Sequence, residues 1–120
     1  MAAMEVASID LVVTSPPYLN IGMPYGDAFA TIEDYIEFSR QWITAAARVL
    51  KPGGAMWINV GMHKAGPNSR VPLTYYLFPL IAGTGLTFVQ EIVWDRRAQQ
   101  NTTQRFATRS ERWFYLVKPG

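Results

Sequence analysis

The run Ile9-Asp10-Leu11-Val12-Val13-Thr14 is apolar and β-branched, and it stops at Ser15-Pro16-Pro17. A short continuous apolar run of this kind reads as a strand buried inside a sheet. Two successive prolines cannot extend it, because each locks its own backbone, restricts the residue before it and removes a ladder donor. The chain must therefore fold around a buried strand that ends in a rigid turn. Ligands on open α/β sheets bind outside the carboxyl ends of the strands, which is where this turn falls.

The residues that follow complete an alternating pattern. Residues 18–30 are rich in Gly, Pro, Asn and Tyr and read as a loop. Thr31–Leu50 reads as a helix, with Thr31 as its cap and Glu33, Asp34 and Glu37 near the positive end of its dipole. Ile32, Tyr35, Ile36, Trp42, Ile43, Ala46 and Leu50 give it one apolar face. Pro52-Gly53-Gly54 stops it, and Ala55–Val60 reads as a second buried strand. Residues 61–70, which include His63, read as a polar surface loop. Val71–Ala82 reads as a short helix with Pro72 at its start, ended by Gly83 and Gly85. Leu86–Trp94 and Arg112–Lys118 read as the third and fourth strands, and Trp42, Trp57 and Trp94 as core. The order predicts an α/β fold of about four strands, parallel where a helix intervenes. The last two strands have no helix between them, so they are expected to pair antiparallel. With 120 residues, the chain is expected to form a single domain over 1–120.

Composition narrows the chemistry. There is no cysteine and one histidine, which excludes a disulfide framework, thiolate ligation and a multi-histidine metal site. No metal is expected. Met1–Ile9 lacks the basic segment and apolar core of a signal peptide. No apolar run reaches the ~18 residues that a spanning helix needs. The expectation is a soluble, cytoplasmic protein with no membrane partner.

Charge is unevenly placed. Residues 1–95 hold five basic residues against eight acidic ones, a net of −3, whereas 96–120 hold six against Glu111 alone, a net of +5. Arg96, Arg97, Arg105 and Arg109 lie in the polar stretch Asp95–Ser110 and are the candidates for phosphate contact in a nucleic acid. A solvated surface loop explains the same charges equally well.

Ser15-Pro16-Pro17-Tyr18 is the candidate catalytic element. The prolines leave local carbonyls projecting from a stiff turn without neighbouring N–H groups. Ser15 adds a hydroxyl and Tyr18 a flat aromatic face. Acceptors beside a stacking platform suit an amino group on a planar ring. A strand-ending turn with a packed tyrosine accounts for those four residues as well.

In its context, Asp10-Leu11-Val12-Val13-Thr14-Ser15-Pro16-Pro17-Tyr18-Leu19-Asn20 resembles the catalytic motif of amino-group DNA methyltransferases. These methylate cytosine N4 or adenine N6. Arg48-Val49-Leu50-Lys51-Pro52-Gly53-Gly54 resembles the helix-to-strand junction that follows in that family. Glu91-Ile92-Val93-Trp94, Arg105-Phe106 and Arg109-Ser110-Glu111 resemble its later strands and intervening loop. The resemblance runs from about Ile9 to Gly120.

The resemblance implies a partial Rossmann-like methyltransferase sheet that acts on DNA with S-adenosylmethionine as cofactor. Ser15 and the Pro16 carbonyl would hold the amino group of a flipped base, Pro17 would stiffen the turn, and Tyr18 would stack on the ring. Serine before Pro-Pro-Tyr leans to cytosine N4 as the target over adenine N6. The Gly-rich cofactor turn of the family is not found, and the cofactor-binding residues stay unknown. The only Gly-x-Gly, Gly83-Thr84-Gly85, follows a helix and precedes a strand, the reverse of the required order. The chain thus resembles the catalytic half alone. Strand 9–14 is then expected to need cover for its edge, from a second copy in a homodimer or from a complementary cofactor-binding polypeptide. Two other readings stay open. One is a non-catalytic nucleic-acid-binding or assembly module derived from such an enzyme. The other is methylation of RNA or of a protein amide through the same kind of motif.

Overall fold

The computed structural model describes residues 4–16, 31–66, 69–95 and 110–120, and side chains for all of these except 62–66 and 69–70. Strand β1 (Ile9–Thr14) leads to helix α1 (Ile32–Val49) and strand β2 (Leu50–Val60). A hairpin, β3 (Met62–Gly66) and β4 (Ser69–Pro72), precedes helix α2 (Leu73–Ala82). Strands β5 (Thr87–Asp95) and β6 (Ser110–Val117) complete the described elements.

The main sheet runs β1-β2-β6-β5. β1 and β2 are parallel, and β6 is antiparallel to both β2 and β5. The expected antiparallel last pair is therefore present. β6 also inserts between β2 and β5, which separates the two strands that α2 connects.

Helix α1 begins where its cap predicts. The Thr31 hydroxyl accepts from the Asp34 N–H at 3.1 Å, which satisfies one of the donors that a helix start leaves free. Tyr35, Ile43 and Ala46 of α1 and Leu73, Leu77 and Ile81 of α2 are buried in one core with Met56, Ile58, Phe114 and Leu116 of the sheet. Phe88 closes the core edge-on against Phe114, with ring centroids 4.9 Å apart. Pro79 sits inside α2 and removes one helical donor. The carbonyl that this leaves belongs to Tyr75, which is 73% exposed, so water can satisfy it.

Four expectations need correction. Strand 9–14 is not buried inside the sheet: β1 lies at an edge of the described sheet, with Leu11 and Val13 exposed. Residues 61–70 are not a plain loop: Met62–Gly66 pairs with Ser69–Pro72 as a hairpin, and His63 lies in β3 opposite Val71. Polarity on both strands hides the alternation, although Gly66-Pro67-Asn68 are turn-forming types. Trp57 and Trp94 are not core: Trp57 is only partly buried on the sheet face away from the helices, and Trp94 is 51% exposed near the end of an edge strand. α2 starts at Leu73, with Pro72 as its cap residue rather than its first turn.

The junction after α1 is tighter than a helix stop. Ile9 pairs with Leu50, but Leu11 already pairs with Ala55, so residues 51–54 bulge out of the ladder. Gly53 takes φ +82°, and a Cβ on Gly54 would stand 2.9 Å from the Lys51 carbonyl oxygen. Lys118 clasps this bulge. The Gly53 N–H donates to the Lys118 carbonyl at 2.8 Å, and the Lys118 N–H donates to the Gly54 carbonyl at 2.9 Å. The Lys118 ammonium donates to the carbonyls of Ala47 and Leu50 at 2.9 and 2.8 Å, which satisfies the end of α1. Lys118→Met keeps the stem and removes those two bonds. It should cost about 1–3 kcal/mol, read as a lower urea midpoint with an unchanged slope.

Candidate active site

The carboxyl ends of β1, β2 and β5 share one end of the sheet with the amino end of antiparallel β6. Thr14 pairs with Ile58, which sets Ser15 beside Asn59. The Ser15 hydroxyl donates to the Asn59 Oδ1 at 3.3 Å. Pro16 is buried, so the turn is rooted in the protein, while Ser15 stays exposed. Asn59 is 4% exposed, held between β1 and β6 with Trp113 across the ladder. Of the four motif residues, the structure thus places Ser15 and Pro16 at the sheet end. Pro17 and Tyr18 lie outside the described residues.

The four candidate arginines, Arg96, Arg97, Arg105 and Arg109, also lie outside the described residues. Their flanks are described: Asp95 pairs with Ser110, so the basic stretch leaves and re-enters the sheet at the Ser15 end. Arg112 stands at the same end and donates to the Ser110 hydroxyl at 2.7 Å, with Glu91 3.8 Å away.

Asn59 escapes a reading of the sequence by motif. The signal is present, because it is the one polar residue in the otherwise apolar run Ala55–Val60. A buried amide is costly without hydrogen bonds, so a polar interruption of a core strand marks a position held for something other than packing.

The second face of the sheet is bare among the described residues. α1 and α2 pack on the face of Val12, Met56, Ile58 and Phe114. The opposite face carries Leu11, Val13, Trp57, Trp94 and Trp113 around a shallow hollow of about 450 Å³. Leu11 and Val13 are 53% and 60% exposed, on a strand that is also an edge of the described sheet. Trp57 and Tyr115 stack across β2 and β6, 4.6 Å apart.

No group of three or more His, Asp or Glu that could hold a metal ion occurs among the described residues. No described helix is long and apolar enough to cross a membrane. Nor do the described residues fit the cofactor that the motif implies. Gly83-Thr84-Gly85 closes α2: the Gly83 N–H donates to the Pro79 carbonyl, and the Thr84 N–H and hydroxyl both donate to the Ile81 carbonyl. A hollow of about 420 Å³ beside it is shared with Arg48 and Lys118, at the opposite end of the sheet from Ser15.

Residues 9–120 match the model of the N6/N4 DNA methylase family. The chain belongs to this family. It is 34% identical over 120 residues to the type II methyltransferase M.ScaI of Streptomyces caespitosus, covering 98% of this chain and 38% of that one. It is 36% identical over 111 residues to the type II methyltransferase M.BglII of Bacillus subtilis, covering 92% and 30%. A DNA modification methylase of Thermus thermophilus, solved with S-adenosyl-L-methionine, superposes with TM-score 0.78 at 27% identity over 99% of this chain and 49% of that one. The cytosine-N4-specific PvuII DNA methyltransferase shares the fold at TM-score 0.73 and 18% identity. The partial Rossmann-like methyltransferase sheet is therefore established, and the chain spans half or less of the length of these relatives.

Gly83 has φ outside the left-handed region, and a new Cβ there would meet only ordinary van der Waals neighbours, whereas Gly85 sits at φ +82°. Gly83→Ala should leave stability unchanged. Gly85→Ala should cost about 1–2 kcal/mol, measured by thermal unfolding, as for a helix stop.

Proposed function

We propose that residues 1–120 act as one domain, the target-base half of a methyltransferase that modifies the exocyclic amino group of a DNA base. The observation that carries this reading is the position of Ser15-Pro16 at the sheet end, inside the span that matches the DNA methylase family. Cytosine N4 is favoured over adenine N6 because serine precedes the Pro-Pro-Tyr element. S-adenosylmethionine supplies the methyl group when bound, on residues that this chain's described part does not provide.

The chain's own residues handle the base. A base inside a duplex cannot reach the turn, so the target is flipped out. Ser15 and the Pro16 carbonyl accept hydrogen bonds from its amino group, which orients the nitrogen lone pair away from the ring plane. Pro17 stiffens the turn and Tyr18 stacks on the ring. No nucleophile is spent, so positioning and electrostatics supply the rate. Arg96, Arg97, Arg105 and Arg109 hold the phosphates and give affinity rather than sequence choice.

The sheet needs a second polypeptide surface. Parallel strands are ordinarily covered on both faces, yet among the described residues β1 has an unpaired edge and an exposed face together. A complementary cofactor-binding half, or a second copy of this chain, covers strand 9–14 and the Trp57 hollow. Relatives of at least twice the length support the first of these.

A non-catalytic nucleic-acid-binding module is the second reading, favoured by the absence of a cofactor cradle among the described residues. Calorimetric titration of S-adenosylmethionine, with oligomeric state recorded in the same buffer, separates the two. Saturable micromolar binding by the chain, its dimer or its complemented form supports the enzyme; no binding in any form supports the module. In the form that transfers methyl groups, Tyr18→Ala should lower the rate about 10- to 100-fold, the worth of one stacked base. DNA affinity should fall with salt at a log–log slope of about −3.6 if four arginines each neutralise a phosphate, and changing all four to alanine should flatten it.

A further inference from the structure

We infer that Asn59 is a positioning residue for methyl transfer, fixing the direction of the Ser15 hydroxyl. The inference rests on the reading of Ser15 as a contact to the target amino group.

A serine hydroxyl has one proton to give and two lone pairs to offer. Which way it is used matters here. A hydroxyl that donated to the target nitrogen would occupy the lone pair needed for attack. A hydroxyl that accepts from the amino group leaves that lone pair free. The Asn59 Oδ1, 3.3 Å from the Ser15 oxygen, takes the hydroxyl proton into the protein. The lone pairs of Ser15 then face outward, where the turn is exposed. The serine becomes an acceptor alone.

Asn59 is built to hold this role rather than to adapt. It sits on β2, paired on one side with β1 and on the other with β6, and is 4% exposed. Side chains alternate along β2, so Asn59 lies on the face of Trp57 and Trp113, away from the core residues Ile58 and Val60, and packing on that apolar face does not call for an amide. An amide neither gains nor loses a proton near neutral pH. Asn59 therefore orients Ser15 without acting as a base, and it imposes no titration on the step.

The test uses the assembly that transfers label from tritiated S-adenosylmethionine to duplex DNA, comparing Asn59→Leu, Asn59→Asp, Ser15→Ala and Asn59→Leu with Ser15→Ala. Asn59→Leu should lower kcat about tenfold, the worth of one neutral hydrogen bond, with KM for the cofactor and the melting temperature unchanged. In the Ser15→Ala background the same change should have no further effect, since the group it orients is gone. Asn59→Asp should restore kcat at high pH, where its carboxylate accepts the serine proton. It should lose that rate as the carboxyl protonates on lowering pH, a limb that neither wild type nor Asn59→Leu shows. Equal losses with and without Ser15, or a loss confined to stability or to cofactor KM, overturn the role of Asn59 and leave the enzyme reading intact. If wild type transfers no label in any assembly, while Ser15→Ala leaves DNA binding unaltered, the enzyme reading itself falls and takes this role with it.

Discussion

Everything at the Ser15 end depends on a clasp at the other end. The ammonium of Lys118 holds the last carbonyls of α1, and its backbone holds both sides of the Gly53-Gly54 bulge. The bulge takes up four residues between the Leu50 and Ala55 pairings. A strand slipped by one residue turns every side chain to the other face. The bulge therefore decides that Met56 and Ile58 enter the core and that Asn59 arrives beside Ser15. A residue other than glycine at position 54 would press on the backbone oxygens of both Lys51 and Asp10. The Pro-Gly-Gly junction is thus a register device, and the site inherits its alignment from it.

The antiparallel last strand has a second consequence. Because β6 runs against its neighbours, its amino end lies where the other strands finish. The chain leaves β5 at Asp95 and re-enters at Ser110, its direct partner across the ladder. The arginine-bearing stretch between them is anchored at the end of the sheet where Ser15 stands.

Much of this is legible in the residues. Thr31 ahead of an acidic first turn marks the start of α1, Gly83 the end of α2, and the lack of a helical sequence pattern between the last two strands marks the antiparallel pair. What escapes has physical reasons. The β3–β4 hairpin is polar, so no alternation marks it. Trp94 is large and apolar, but it lies next to the end of an edge strand, on a face that no described element covers. The bulge at 51–54 looks like a helix stop because proline and glycine serve both purposes. Asn59 is easily passed over because a single polar residue inside an apolar run looks like noise until the register sets a hydroxyl beside it.

The exposed edge and the exposed face meet on one strand, and that strand carries the motif. Leu11 and Val13 look outward from β1, while Val12 between them packs against the core. A surface laid over Leu11 and Val13 would press on the strand whose next residues are Ser15 and Pro16. On the proposed reading, completing the sheet and steadying the turn are one event. β2 holds the turn from one side through Asn59, and the covering polypeptide holds it from the other. The half that brings the cofactor would then also fix the strand that presents the base, which aligns the two reactants without any contact between them.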